Sequence, residues 1–332
     1  MKKFINNPDD VVDEEIQGFV VCHRDLISIT NNPRVLKYKN APVKGKIGIV
    51  TGGGSGHFPA FTGYIGKNMI DAVAVGEVFS SPTSQAFYDA IKSANSGNGV
   101  LCLIGNFSGD RMNLKLASKR VLEEGIKLET VIVNDDVASA STKEREKRRG
   151  STGEVLAWKV AGAKAALGSP LEEIAKTTYK AIDNTRSISV GLSPCTIPSV
   201  GVPNFKIEEG KISIGIGHHG EKGIKDIDLK PAKEVGKILL EILLSDLPFR
   251  EGDEIVIMLS GLGATPYMEL YILYNNIVKQ LENEKIKIYK SYVGNFFTSL
   301  DMAGVTLTLM RLDEELKSMI DLEVDTVGLK QF

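Results

Sequence analysis

Short runs dense in β-branched and aliphatic residues alternate with stretches of helical period along most of the chain. Lys46–Thr51, Val100–Ile104, Leu128–Val133, Ser187–Leu192, Lys211–Ile216, Glu254–Leu259, Lys287–Val293 and Val305–Met310 read as strands. Asn113–Glu124 sets Leu114, Leu116, Ala117 and Val121 along a helical stretch that Gly125 ends. Val155–Leu167, Pro170–Asn184 and Pro231–Leu244 read the same way, and His23 falls in a helical N-terminal stretch. Strands separated by helices of this length predict an α/β fold of mostly parallel sheets with helices on both faces. A long helical stretch ends near Asp183–Ser187, where a proline-rich uncharged run begins. The expected organisation is therefore two α/β domains, 1–184 and 185–332.

Composition narrows the function classes. The 332 residues, 42% hydrophobic and 25% charged, suit a globular protein with two cores. Forty basic against 42 acidic side chains leave a formal charge of −2, which argues against a general nucleic-acid binder. Cys22, Cys102 and Cys195 are odd in number and lack metal-ligand spacing, so they read as small hydrophobes in a reducing cytosol. The start, Met1-Lys2-Lys3, runs quickly into Asp9, Asp10, Asp13 and Glu14, unlike a signal peptide. The longest uncharged runs, Ile47–Gly66 and Ser187–Phe205, are broken by glycines and prolines and do not read as membrane helices. A cytoplasmic protein is expected.

The strongest local feature is Thr51-Gly52-Gly53-Gly54-Ser55-Gly56-His57-Phe58-Pro59, directly after a strand. Four glycines in five positions let backbone N–H groups come close to a ligand, and Pro59 suits the first turn of a following helix. Gly215-Ile216-Gly217-His218-His219-Gly220 fits a dinucleotide fingerprint by spacing, but Glu221-Lys222-Gly223 does not open the helix a pyrophosphate needs. Around Gly66-Lys67, Asn68 replaces the Mg²⁺-binding Ser/Thr of a phosphate loop. No nucleotide site is recognisable. His57, His218 and His219 lie in glycine-flanked loops after strands, where side chains reach a cleft more readily than a core. Asp110, after the strand Val100–Ile104, reads as a general base or as an N-cap of the next helix. Asn134-Asp135-Asp136 reads as a turn with one inward carboxylate rather than a metal site. Lys143–Arg149 reads as a solvated helix face, with docking of an acidic or nucleotide-loaded partner as the sharper alternative.

Seven blocks in order along the chain resemble the substrate-binding subunit of dihydroxyacetone kinases. They are Gly52–His57, Gly63–Gly66, Phe79–Pro82, Ser108–Asp110, His219–Glu221, Gly263–Pro266 and Thr298–Met302. The resemblance implies a substrate site between two α/β domains and a homodimer. It implies that His219 adds to the carbonyl of a small ketose as a hemiaminal. Gly53, Gly54, Ser55, Gly56, Ser81 and Gly105 would bind the substrate, and His57 and Asp110 would handle the proton of the phosphate-accepting hydroxyl. ATP or ADP with Mg would sit on a separate nucleotide-binding kinase subunit, so this chain needs no cofactor or metal. Phe58 stands where such proteins have a glutamate, Gly105 where some have a lysine, and His218 where a small apolar residue is common. Gly105-Asn106-Phe107 makes the chain more similar to the branch acting on four-carbon ketoses such as erythrulose. Paralogues that sense the ketose and co-activate transcription form the alternative reading.

Overall fold

The computed structural model describes residues 2–332. They form two compact units, and the chain passes between them more than once. The first unit holds residues up to 133, 156–180 and 318–332; the second holds 134–155 and 181–317. This differs from one boundary at 184–185. Residues 134–155 join the second unit because Val137 N donates to Ser187 O and Asp136 bridges Ser187. Residues 318–332 join the first because their strands pair with residues 66–67.

The first unit opens with α1 (Val11–Cys22), β1 (Ile27–Ile29), β2 (Val35–Tyr38), β3 (Gly48–Ser55), β4 (Gly66–Lys67) and β5 (Ala72–Val78). It continues with α2 (Ser84–Ala94), β6 (Val100–Gly105), α3 (Ser108–Glu123) and β7 (Leu128–Val133). Its main sheet has the order β1-β2-β5-β3-β6-β7; β5, β3, β6 and β7 are parallel, and β1 and β2 antiparallel. Both faces of β3 and β6 are buried, which explains the near-continuous apolar runs in the sequence. On one face Val50, Cys102 and Ile104 meet Phe87 and Ile91 of α2 and Leu114 and Val121 of α3. The Thr83 hydroxyl caps α2 by accepting from Ala86 N at 3.1 Å. In place of the expected helix after Pro59 there is only a 3-10 turn, Thr62–Tyr64.

α4 (Gly153–Ala166) and α5 (Leu171–Asp183) follow. The second unit then carries β8 (Thr185–Ser193), β9 (Lys211–Ile214), β10 (Lys225–Asp228), α6 (Ala232–Asp246), β11 (Glu254–Gly261), α7 (Tyr267–Asn283), β12 (Lys287–Gly294) and β13 (Ala303–Arg311). Its sheet order is β10-β9-β8-β13-β11-β12. The fold is α/β, but here the expectation of mostly parallel strands fails: only β11 and β12 run parallel. Parallel neighbours need a long crossover. α7 provides one, whereas the links 194–210, 215–224 and 295–302 hold no helix. Ile188, Val190, Ile257, Leu259, Leu307 and Leu309 build a core with α6 and α7. On alternate positions Ser187 and Ser189 pair through their hydroxyls with Thr308 and Thr306, at 2.7 and 2.8 Å. α8 (Glu314–Asp321), β14 (Val324–Thr326) and β15 (Lys330–Gln331) close the chain, and β15-β14-β4 form a small sheet. Among the described residues no helix is long and apolar enough to cross a membrane.

Candidate active site

In the first unit, β5, β3 and β6 end side by side with their carboxyl ends together. Chain progression reverses between β3 and β6, and such a point forms a ligand crevice in open α/β sheets. The loops leaving these strands hold Gly56-His57, Phe79–Ser81 and Asn106-Phe107. The expected glycine loop is shorter than the sequence suggests, because Gly52–Ser55 are the last residues of β3, paired with β5. A Cβ on Gly53 would lie 2.1 Å from the Phe61 ring, and one on Gly54 only 2.6 Å from Ser80 N. Gly76, which pairs with Gly54, would clash with Ser80 O at 2.0 Å. The bare glycine pair is what lets residues 79–82 lie against the sheet. Gly56, at φ +94°, turns the chain out of the strand. Gly53, Gly54, Ser55 and Gly56 line a small cavity with Ile16 and Phe19 of α1, and the Ser55 hydroxyl donates to Gly76 O at 2.8 Å.

His57 is buried, 2% exposed, with its ring stacked 4.8 Å from that of Phe79. Ser81 Oγ accepts from Asn113 Nδ2 at 3.2 Å, and Gly109 packs against its Cβ. α3 starts at Ser108, five residues earlier than expected, so Asp110 sits within its first turn. The N-cap is Phe107, which corrects the capping reading of Asp110. A carboxylate in that turn is favoured by the helix dipole. Gly105 ends β6, paired with Val133, and its carbonyl accepts from Phe107 N at 2.8 Å.

In the second unit, the side chain of His219 is 27% exposed. Its Nδ1 lies 2.9 Å from Glu221 Oε1, its backbone N–H donates to Glu221 Oε2 at 2.9 Å, and its carbonyl accepts from Asn204 Nδ2. Burial raises the Glu221 pKa, but the bond to His219 and the charges of His219 and Arg149 outweigh it and leave it below the usual carboxylate range. His218 is buried instead of facing a cleft, 4.7 Å from the Phe297 ring, and its carbonyl accepts from the Ser299 hydroxyl. Burial, with the neighbouring charge of His219, holds its pKa down to about 3.

The basic run is a solvated face only in part: Lys143 and Lys147 are exposed, whereas Arg148 and Arg149 turn inward. Arg148, 1% exposed, donates two parallel hydrogen bonds to Asp246, at 2.8 and 2.5 Å, and Arg186 Nε donates to the same carboxylate. Arg149 pairs with Asp136 at 2.9 Å and faces Glu221 at 3.6 Å. Both aspartates after β7 are buried and point apart, in place of one inward residue. Asp135 accepts from Ser151 and Gly153 N at the start of α4, while Asp136 takes Arg149. Cys102 and Cys195 are buried as expected, but Cys22 is exposed.

Residues 17–328 match the family model of the Dak1 domain. The chain belongs to the Dak1 family. It is 40% identical over 329 residues to the dihydroxyacetone-binding subunit DhaK of PTS-dependent dihydroxyacetone kinase 1 from Listeria innocua, covering 99% of this chain and 100% of that one. It is 37% identical to L-erythrulose 1-kinase from Mycolicibacterium smegmatis, covering all of this chain and 58% of that longer one. Among solved structures it resembles the dihydroxyacetone kinase operon co-activator Dha-DhaQ, with TM-score 0.90 and 28% identity over 96% of this chain and 99% of that. The C. freundii dihydroxyacetone kinase in complex with AMP-PNP and Mg²⁺ matches with TM-score 0.89 and 28% identity, over 99% of this chain and 61% of that.

Within this Dak1 chain, sequence reasoning gave no role at the site to Glu221, Arg149, Asp136, Asn204 or Phe79. A carboxylate two residues after a loop histidine was the available signal for Glu221. Arg149 was hidden in a charge run, and it and Asn204 reach residues 217–221 only through folding.

Proposed function

We propose that this chain is the ketose-holding subunit of a dihydroxyacetone-type kinase. The observation that carries the reading is the partly exposed His219 ring hydrogen-bonded through Nδ1 to an anionic Glu221. With the proton on Nδ1 facing Glu221, the lone pair resides on Nε2. Nε2 bonds to the carbonyl carbon, the π pair moves to oxygen, and that oxygen takes a proton from solvent water. The positive charge left on the ring faces the Glu221 carboxylate. Nε2 then carries no N–H, so water cannot leave and the adduct stops at the hemiaminal. This selects ketones over simple polyols and offsets the small contact area of a three- or four-carbon substrate.

Asp110, in the first turn of α3, takes the proton of the hydroxyl that accepts phosphate, and His57 supports that transfer. Gly53, Gly54, Ser55, Gly56, Ser81 and Gly105 contact the substrate. The phosphoryl donor, a nucleotide with Mg²⁺, lies on a partner subunit, in keeping with the absence of a phosphate loop in this sequence. The full-length match to subunits named PTS-dependent favours a nucleotide recharged by a relay. Gly105, in place of a lysine, together with relatives named as erythrulose kinases, favours a four-carbon ketose alongside dihydroxyacetone. The protein acts in the cytoplasm as a homodimer.

Intact-mass analysis and a coupled phosphorylation assay test this. His219→Ala abolishes the covalent mass increment from bound ketose; an unchanged increment refutes the adduct. Asp110→Ala keeps the increment and loses turnover by ~10²-fold or more; normal turnover removes it as the base. The resemblance to an operon co-activator favours one other reading, a ketose sensor. Adduct formation without any phosphorylation by the wild-type chain and its partner subunit would establish that reading instead.

A further inference from the structure

We infer that Arg149 is a positioning residue for His219, acting through Glu221, and that Asp136 and Gly217 build the seat that holds it. This rests on the reading of His219 as the ketose-binding residue. The Arg149 backbone is fixed on both sides: its N–H donates to Ser139 Oγ at 2.9 Å and its carbonyl accepts from Asp136 N at 3.1 Å. Its side chain, 16% exposed, gives Nε and Nη2 to one oxygen of Asp136, at 3.1 and 2.9 Å. Nη1 is then the nitrogen that faces Glu221 Oε2, at 3.6 Å, an ion-pair distance rather than a hydrogen bond. A planar fork anchored along one edge aims its third nitrogen in a fixed direction, which a lysine does not.

The glycine spacing that mimics a nucleotide fingerprint has its explanation here. A Cβ on Gly217 would lie 2.1 Å from Glu221 Oε2 and 2.5 Å from Arg149 Nη1. Gly217 is bare so that the Arg149–Glu221 pair can close over it. Glu221 in turn spends one oxygen on the His219 ring and the other on the His219 N–H. Arg149 therefore holds the Glu221 carboxylate against Nδ1 of the ring, and through it sets which nitrogen of His219 keeps the proton.

The test uses the full-length protein with ¹⁵N-labelled histidine and, as probe, ¹³C-labelled dihydroxyacetone. The wild type is expected to show His219 protonated on Nδ1. In Arg149→Met the ring spreads over both tautomers, and the ketose concentration giving half-maximal hemiaminal signal rises at least tenfold. Arg149→Lys recovers only part of this. A folded Arg149→Met with the wild-type ring spectrum and half-saturation within twofold overturns the inference. If Arg149→Met does not fold, Gly217→Ala serves, since its methyl group must part the pair and produce the same two changes; no change there also overturns it. If wild-type protein forms no hemiaminal, the proposed function falls, while the ring spectrum still decides whether Arg149 sets the tautomer.

Discussion

Adjacent histidines 218 and 219 show how burial divides one residue type into two roles. His219, partly exposed and bonded to a carboxylate, keeps a ring suited to chemistry. His218 is 5% exposed against Phe297, and burial holds its pKa at about 3 rather than 6.5. The unfolded chain binds a proton there near pH 6.5 while the folded chain refuses it, so stability falls as pH drops from about 6.5 toward 3. His218→Asn is expected to flatten the pH dependence of unfolding across that window. Urea melts at pH 7, 5.5 and 4.5 check this; a slope equal to wild type refutes it.

At the level of elements, the glycines of β3 act as a surface on which a loop is laid. Gly54 and Gly76 face each other in register and both leave room for the backbone at Ser80. That backbone carries Phe79, the stacking partner of His57, and Ser81. Gly54→Ala puts a methyl group 2.6 Å from a main-chain nitrogen, which no side-chain rotation relieves. It is expected to cost about 1–3 kcal/mol, lowering Tm by roughly 2–4 °C per kcal/mol, and to weaken ketose binding. Calorimetry and titration check both effects. The element pattern was legible in part: β3, β6 to β9, β11 to β13 and four helices lie within a few residues of expectation, but α7, the longest helix described, was not singled out. β5 escaped notice because five consecutive positions, Ala72 to Gly76, are buried and leave no alternation of apolar and polar residues.

On the scale of the whole molecule, distant stretches of sequence share one unit. Lys159 in α4, 1% exposed, donates to Met319 O and Leu322 O, more than 150 residues later. β14 and β15 complete a sheet with β4. A chain truncated after Lys317 loses those carbonyls and that sheet and is expected to lose more than about 3 kcal/mol in the first unit. Hydrogen exchange resolved by region should show weakened protection in 48–133, with 185–311 largely retained; equal protection in both would refute it.

Local pattern was enough to mark the α/β class and the carboxyl-end loops, because period and glycine density are written along the chain, but it did not separate His219 from His218, which folding buries. The antiparallel second sheet, the start of α3 ahead of Asp110, and the ion pairs of Arg148 and Arg149 were decided by folding. Strand direction depends on which segments become neighbours, and the charge and tautomer of a side chain depend on what stands beside it. Those neighbours come from positions 136 and 149 on one stretch and 217 and 221 on another, which only folding brings together.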